Sequence, residues 1–128
     1  MNKELLKTQS GQSIDGPIVI KTNIFEDQRG FFYESWNKNV FDLKINAKIN
    51  FVQDNHSSSI KGVLRGLHYQ TNPSPQGKLV RCIKGEVFDV AVDLRRNSMT
   101  FGKWFGVNLN SINKLQFWIP EGLSLIHI

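Results

Sequence analysis

Four short strings of this chain carry residue types that can do chemistry. Gly62-Val63-Leu64-Arg65-Gly66-Leu67-His68-Tyr69-Gln70 sets a histidine among apolar residues. With an unperturbed pKa of about 6.5, His68 is the best general base available; the alternative is a hydrogen-bonded core side chain. Gln76-Gly77-Lys78-Leu79-Val80 places a lysine at the head of an apolar run after a loop. Lys78 is either an exposed cation or a charge set where negative charge develops during a reaction. Arginines recur beside glycines, in Asp27-Gln28-Arg29-Gly30 and in Leu64-Arg65-Gly66. Glycine lets a backbone approach a ligand closely and a guanidinium fork matches phosphate oxygens, so Arg29 and Arg65 together point to a diphosphate. In Phe51-Val52-Gln53-Asp54-Asn55, an extended backbone puts Gln53 and Asn55 on one face. Those amides either hydrogen-bond a sugar or base, or cap a turn.

The elements that must position these residues read as short strands. Segments 17–20, 31–36, 49–54, 63–70, 78–83, 87–94, 104–109 and 115–119 are rich in β-branched and aromatic residues, with turn signals between them. Alternation is clearest over 87–94. Phe88, Val90, Val92 and Leu94 fall on one face; Val87, Asp89, Ala91 and Asp93 fall on the other. That second face either meets water or lines a polar cavity. Gly66 permits a bulge that re-aims its neighbours; simple alternation pairs Arg65 with Leu67 on one face and sets His68 on the opposite one. Residues 37–41 suit one helical turn. Many short strands about 8–12 residues apart predict an all-β sandwich or barrel.

Composition narrows the classes. The 128 residues suit one domain, and the 40% hydrophobic and 21% charged fractions suit a globular core. The net charge of +5 is scattered, with no Lys/Arg run and no nucleic-acid motif, so no nucleic-acid partner is expected. Cys82 is the single cysteine, which excludes an internal disulfide and a Cys-based zinc site. It reads as a small buried side chain. No window reaches the ~18 apolar residues of a membrane span. The segment Met1-Asn2-Lys3-Glu4-Leu5-Leu6-Lys7 has no signal-peptide pattern, so a cytoplasmic location is expected.

One spacing carries a resemblance. The first motif of cupin barrels runs Gly, five residues, His, one residue, His, a short gap, Glu, six residues, Gly. This chain has Gly62, five residues, His68, one residue, Gln70, a longer gap, Lys78, six residues, Gly85. Two of three metal-ligand positions are therefore replaced, and a lysine ammonium has no lone pair to offer a metal. The chain resembles a cupin without a metal. Six strings then resemble the dTDP-4-dehydrorhamnose 3,5-epimerase family: Asp27-Gln28-Arg29-Gly30-Phe31-Phe32, Phe51-Val52-Gln53-Asp54-Asn55, Leu64-Arg65-Gly66-Leu67-His68-Tyr69-Gln70, Gln76-Gly77-Lys78-Leu79-Val80-Arg81, Gly85-Glu86-Val87-Phe88-Asp89-Val90-Ala91-Val92-Asp93-Leu94-Arg95 and Phe117-Trp118-Ile119-Pro120-Glu121-Gly122.

The resemblance implies a cupin jelly-roll homodimer that needs no cofactor. It also implies one step of dTDP-L-rhamnose synthesis: dTDP-4-dehydro-6-deoxy-D-glucose inverted at C3 and C5. By family position, His68 is the base that removes both protons and Lys78 stabilises the enolate oxygen. Such a contact is typically worth about 3–4 kcal/mol of barrier. Arg29 and Arg65 match the diphosphate contacts; Glu34, Gln53 and Asn55 match other substrate contacts.

The chain departs from the family pattern after Gly122. The family has a histidine three residues beyond that glycine, where this chain has Leu125; His127 comes two residues late and is not carried over. The family's proton-returning tyrosine and base-orienting aspartate fall beyond Ile128. Residues 1–122 are accordingly read as a partial epimerase domain, with a barrel incomplete at the C-terminus. Residues 123–128 are read as a non-native tail. Three rival readings stand beside this one: a 3-epimerase, 5-epimerase or 3,4-ketoisomerase on the same scaffold; a metal-dependent cupin oxygenase, disfavoured by Gln70 and Lys78; and an inactive fragment or sugar-nucleotide-binding module.

Overall fold

Strand alternation decides which side chains enter the interior, and the observed pairing follows it. A computed structural model describes residues 2–7, 11, 13–68 and 77–128. Its strands are β1 (Asn2–Lys7), β2 (Ser13–Lys21), β3 (Phe25–Asp27), β4 (Gly30–Phe32), β5 (Arg65–His68), β6 (Lys78–Arg81), β7 (Glu86–Asp93), β8 (Trp104–Asn110), β9 (Gln116–Ile119) and β10 (Leu123–His127). The helix α1 spans Lys38–Ile45. Two four-stranded sheets, ordered β1-β2-β9-β6 and β5-β10-β7-β8, face each other, and β3 and β4 form a separate hairpin. This is the expected all-β jelly-roll architecture.

The core lies between the two sheets. Ile14, Phe117 and Ile119 from one sheet pack against Ala91, Phe105, Leu109, Leu123 and Leu125 from the other. Burying each large side chain here contributes about 1.5–3 kcal/mol before entropy is counted. A second cluster forms on the outer face of the first sheet, where Phe41 of α1 meets Ile18, Ile20 and Trp118. Asn37 caps α1 by accepting from the Val40 amide, and Asn46 ends it in the left-handed conformation. The helix is longer than the single turn expected at 37–41.

The expected strand at 49–54 does not form. Ile49 is tied to α1 instead: its amide donates to Asp42 and its carbonyl accepts from Lys38. The Phe51 ring packs edge-on against Trp36 and Trp118. Aromatic contact with the helix layer takes the place of a ladder, and Val52 is left 95% exposed. The strand expected at 31–36 stops after Phe32, where its pairing with β3 ends. The loop at 71–76 and the position of Gln70 lie outside the described residues.

Residues 123–127 form β10, which pairs with β5 on one side and β7 on the other. The physical reason is alternation: Leu123 and Leu125 point inward and are buried, opposite Asp93 and Ala91.

Candidate active site

The site is defined by which side chains share the inward face. On β7 that face carries Val87, Asp89, Ala91 and Asp93, since Ala91 belongs to the core. Asp89 and Asp93 are both fully buried there, so this aspartate-bearing face does not meet bulk water. Asp93 is satisfied locally: it accepts from the Arg95 guanidinium at 2.9 and 3.1 Å, from Ser98 Oγ at 2.6 Å and from Thr100 Oγ1 at 2.5 Å. Asp89 instead accepts from a ring nitrogen, His127 Nδ1, at 2.5 Å.

His68 enters the same face through β10. It stands directly opposite Leu125, a buried core residue, and cross-strand partners project to one side. Arg65 stands opposite His127, two residues further along β10. Two steps along β10 therefore oppose three steps along β5, which is a bulge around Gly66 and Leu67. The bulge overturns the simple alternation expected from the sequence: Arg65 and His68 share the inward face. Gly66 permits this because Ile126 crowds it; a Cβ there would lie 3.0 Å from three Ile126 atoms.

Lys78 comes from the opposing sheet. It pairs with Ile119, another core residue, so it too projects into the space between the sheets. Lys78 is half-buried, and burial pushes its ammonium below the ordinary lysine range. His68, exposed on its edge strand, and the half-buried Lys78 thus project toward the space between the sheets from opposite sides. A basic imidazole on one wall and a cation on the other can remove a proton and stabilise the anion that forms.

The remaining residues are placed less centrally. The Arg65 side chain donates from Nε to Ser59 Oγ at 2.8 Å and from Nη2 to the Ser58 carbonyl. It thereby fastens the exposed 50–64 segment to β5. Gln53 and Asn55 hydrogen-bond each other at 3.1 Å on that segment. Arg29 is exposed at the tip of the β3–β4 hairpin, where it pairs with Asp27 at 2.7 Å. The Arg29 hydrogen bonds hold the Asp27 carboxyl below its usual range. Glu34 is exposed just past β4. Among the described residues, none of these side chains hydrogen-bonds to His68 or Lys78. Sequence reasoning missed the Asp89–His127 pair; the alternation that carries Asp89 was readable, but which face turned inward was open and its partner lay in a segment set aside as a tail. Among the described residues, no three His, Cys, Asp or Glu side chains gather to hold a metal ion. Among the described residues, no helix is long and apolar enough to cross a membrane.

A jelly-roll of two facing sheets places the chain in the cupin-type class of folds. Comparison with known proteins agrees. The family model for dTDP-4-dehydrorhamnose 3,5-epimerase matches residues 11–125, and the chain belongs to that family. It is 62% identical over 107 residues to the dTDP-4-dehydrorhamnose 3,5-epimerase of Shigella flexneri, a match covering 84% of this chain and 59% of that protein. It superposes on the epimerase crystal structure from Elizabethkingia anophelis with a TM-score of 0.87 at 45% identity, covering 100% of this chain and 68% of that one. The Legionella pneumophila epimerase, solved in complex with dTDP-4-keto-L-rhamnose, gives a TM-score of 0.87 at 48% identity, covering 98% and 64%. The chain spans about three-fifths of the length of the curated relatives it matches.

Proposed function

We propose that this chain acts as a dTDP-4-dehydrorhamnose 3,5-epimerase, converting dTDP-4-dehydro-6-deoxy-D-glucose to dTDP-4-dehydro-L-rhamnose. Hydrogens beside a ketone are acidic because the resulting carbanion delocalises onto oxygen. In this reading His68 removes the protons at C5 and C3, Lys78 stabilises the enolate oxygen from the opposite wall, and water returns a proton to the opposite face of each enolate to complete the inversion. Arg65 and Arg29 hold the diphosphate, while Glu34, Gln53 and Asn55 contact the rest of the nucleotide sugar. The observation that carries the reading is the shared interior of His68 and Lys78 within this family's fold. Assembly as a homodimer accompanies it. Phe25, Phe31 and Phe32 are 64%, 59% and 72% exposed on the β3–β4 hairpin, an apolar surface that a second copy would cover.

Incubation with the keto-sugar nucleotide in D2O tests this. The chain incorporates deuterium at C5 and C3, and His68→Ala does not. Product NMR distinguishes double from single epimerisation. Absence of exchange in the parent chain would refute the catalytic assignment.

A further inference from the structure

The sheet register sets a second row of polar side chains beside His68. Reading across from β5 to β7, one row is His68, Leu125 and Ala91; the next is Arg65, His127 and Asp89. By the pairing argued above the six project to one side of the sheet, with Ala91, Asp89 and Leu125 buried, His127 partly buried, and Arg65 and His68 exposed at the sheet's edge strand. His127 is partly buried, its ring centroid 6.4 Å from that of His68. Its Nδ1 is taken by Asp89, whose other oxygen is buried without a hydrogen-bond partner among the described residues. A buried carboxylate that anchors one nitrogen of an imidazole fixes the ring and leaves Nε2 for a ligand, the arrangement that orients histidines in catalytic and metal sites.

We propose that His127 is a ligand-contact residue of this site, donating from Nε2 to a phosphate oxygen of the nucleotide diphosphate held at its neighbour Arg65. The proposal rests on the diphosphate reading of Arg65. A neutral imidazole has one N–H and an imidazolium has two. Donation to Asp89 and to phosphate at once therefore requires the imidazolium, so ligand binding gains a proton dependence. The groups facing His127 are Arg65 and His68 from β5 and Asp89 from β7. Cys82 also senses the Asp89 charge: burial first, opposed by its hydrogen bond to the Lys84 carbonyl, and then the Asp89 charge hold its thiol above the ordinary range. Of these groups, only His68 is a second imidazole, so the test removes it.

The test is calorimetric titration with dTDP-glucose, a ligand whose diphosphate does not ionise further near neutrality. It is run in a His68→Asn background, at about pH 6 and about pH 8. With His127 intact, binding is about tenfold tighter at the lower pH, the scale of one charge-assisted hydrogen bond. His127→Gln binds equally at both, with the weaker affinity. His127→Asn, whose amide can still donate to Asp89, replaces it should the glutamine variant lose its circular dichroism spectrum. The same pH dependence with and without His127 overturns this proposal while leaving the substrate reading intact. No binding by the parent at either pH overturns both.

Discussion

Arg65 and His68 lie on one face of β5 although two residues separate them, a step that plain alternation forbids. The extra residue of the bulge performs this re-aiming, and Gly66 is its tightest point. A methyl group there meets the backbone of Ile126 as well as its side chain, so β10 must shift to admit it. Gly66→Ala is expected to destabilise the fold by about 1–3 kcal/mol. It should also cut deuterium exchange by more than tenfold, as His68 turns from the interior. Urea unfolding and the D2O assay measure the two effects; unchanged exchange would mean that the bulge does not aim His68.

Leu125 tests whether residues 123–127 are part of the barrel wall. Its side chain is 1% exposed and sits in the core with Ala91, Phe105 and Phe117. Leu125→Ala leaves a cavity between the sheets and is expected to cost about 2–5 kcal/mol. Thermal and urea melts report it. A cost below ~0.5 kcal/mol, typical of surface positions, would place this segment outside the cooperative fold.

Asp93 sets the acid limit of stability. Burial pushes its carboxyl up, but hydrogen bonds from Arg95, Ser98 and Thr100 outweigh burial and hold it well below the usual range. A carboxyl depressed in the folded state stabilises above its unfolded pKa of about 3.9. That contribution drains away as the pH falls below this value toward the folded one. Asp93→Asn is expected to cost about 3 kcal/mol at neutral pH. It should also flatten the loss of stability below about pH 4. Urea midpoints across the acid range check both, and parallel curves for parent and variant would remove Asp93 as the cause.

Much of this architecture is legible in the residues themselves, because strand alternation and turn signals are local. The grouping of Val87, Asp89 and Ala91 on one face follows directly from spacing, and so does the turn at Gly85, whose φ of 82° suits glycine, but that this face is the inward one was left open until the sheets were paired. Three features are not local. The bulge at Gly66 shifts faces without altering composition, so Arg65 was expected on the face away from His68. Ile49 and Phe51 have strand-like character, yet their partners are α1 and Trp118, set by tertiary packing. His127 gains meaning only from β10 lying beside β7, a pairing across 38 residues of sequence. The base and the cation were readable as residue types; their shared interior needed the two sheets.

Lys78 gives the sharpest catalytic prediction. It opens β6 opposite Ile119, half-buried, with its ammonium made more acidic by burial. A lysine that stabilises an enolate must carry its charge, so exchange persists below its folded pKa and declines as the pH rises through that value. The decline should therefore begin below the ordinary lysine value of about 10.4. Lys78→Met is expected to slow exchange by about 10²–10³, as for loss of one oxyanion donor, while dTDP-glucose still binds within a few-fold. Lys78→Arg retains charge but not the compact ammonium, and should recover only part of the rate. The pH–rate profile of C5 exchange with the three chains decides the matter. An exchange rate in Lys78→Met equal to the parent's, or a parent profile flat through the whole lysine range, would assign the enolate's stabilisation to another group.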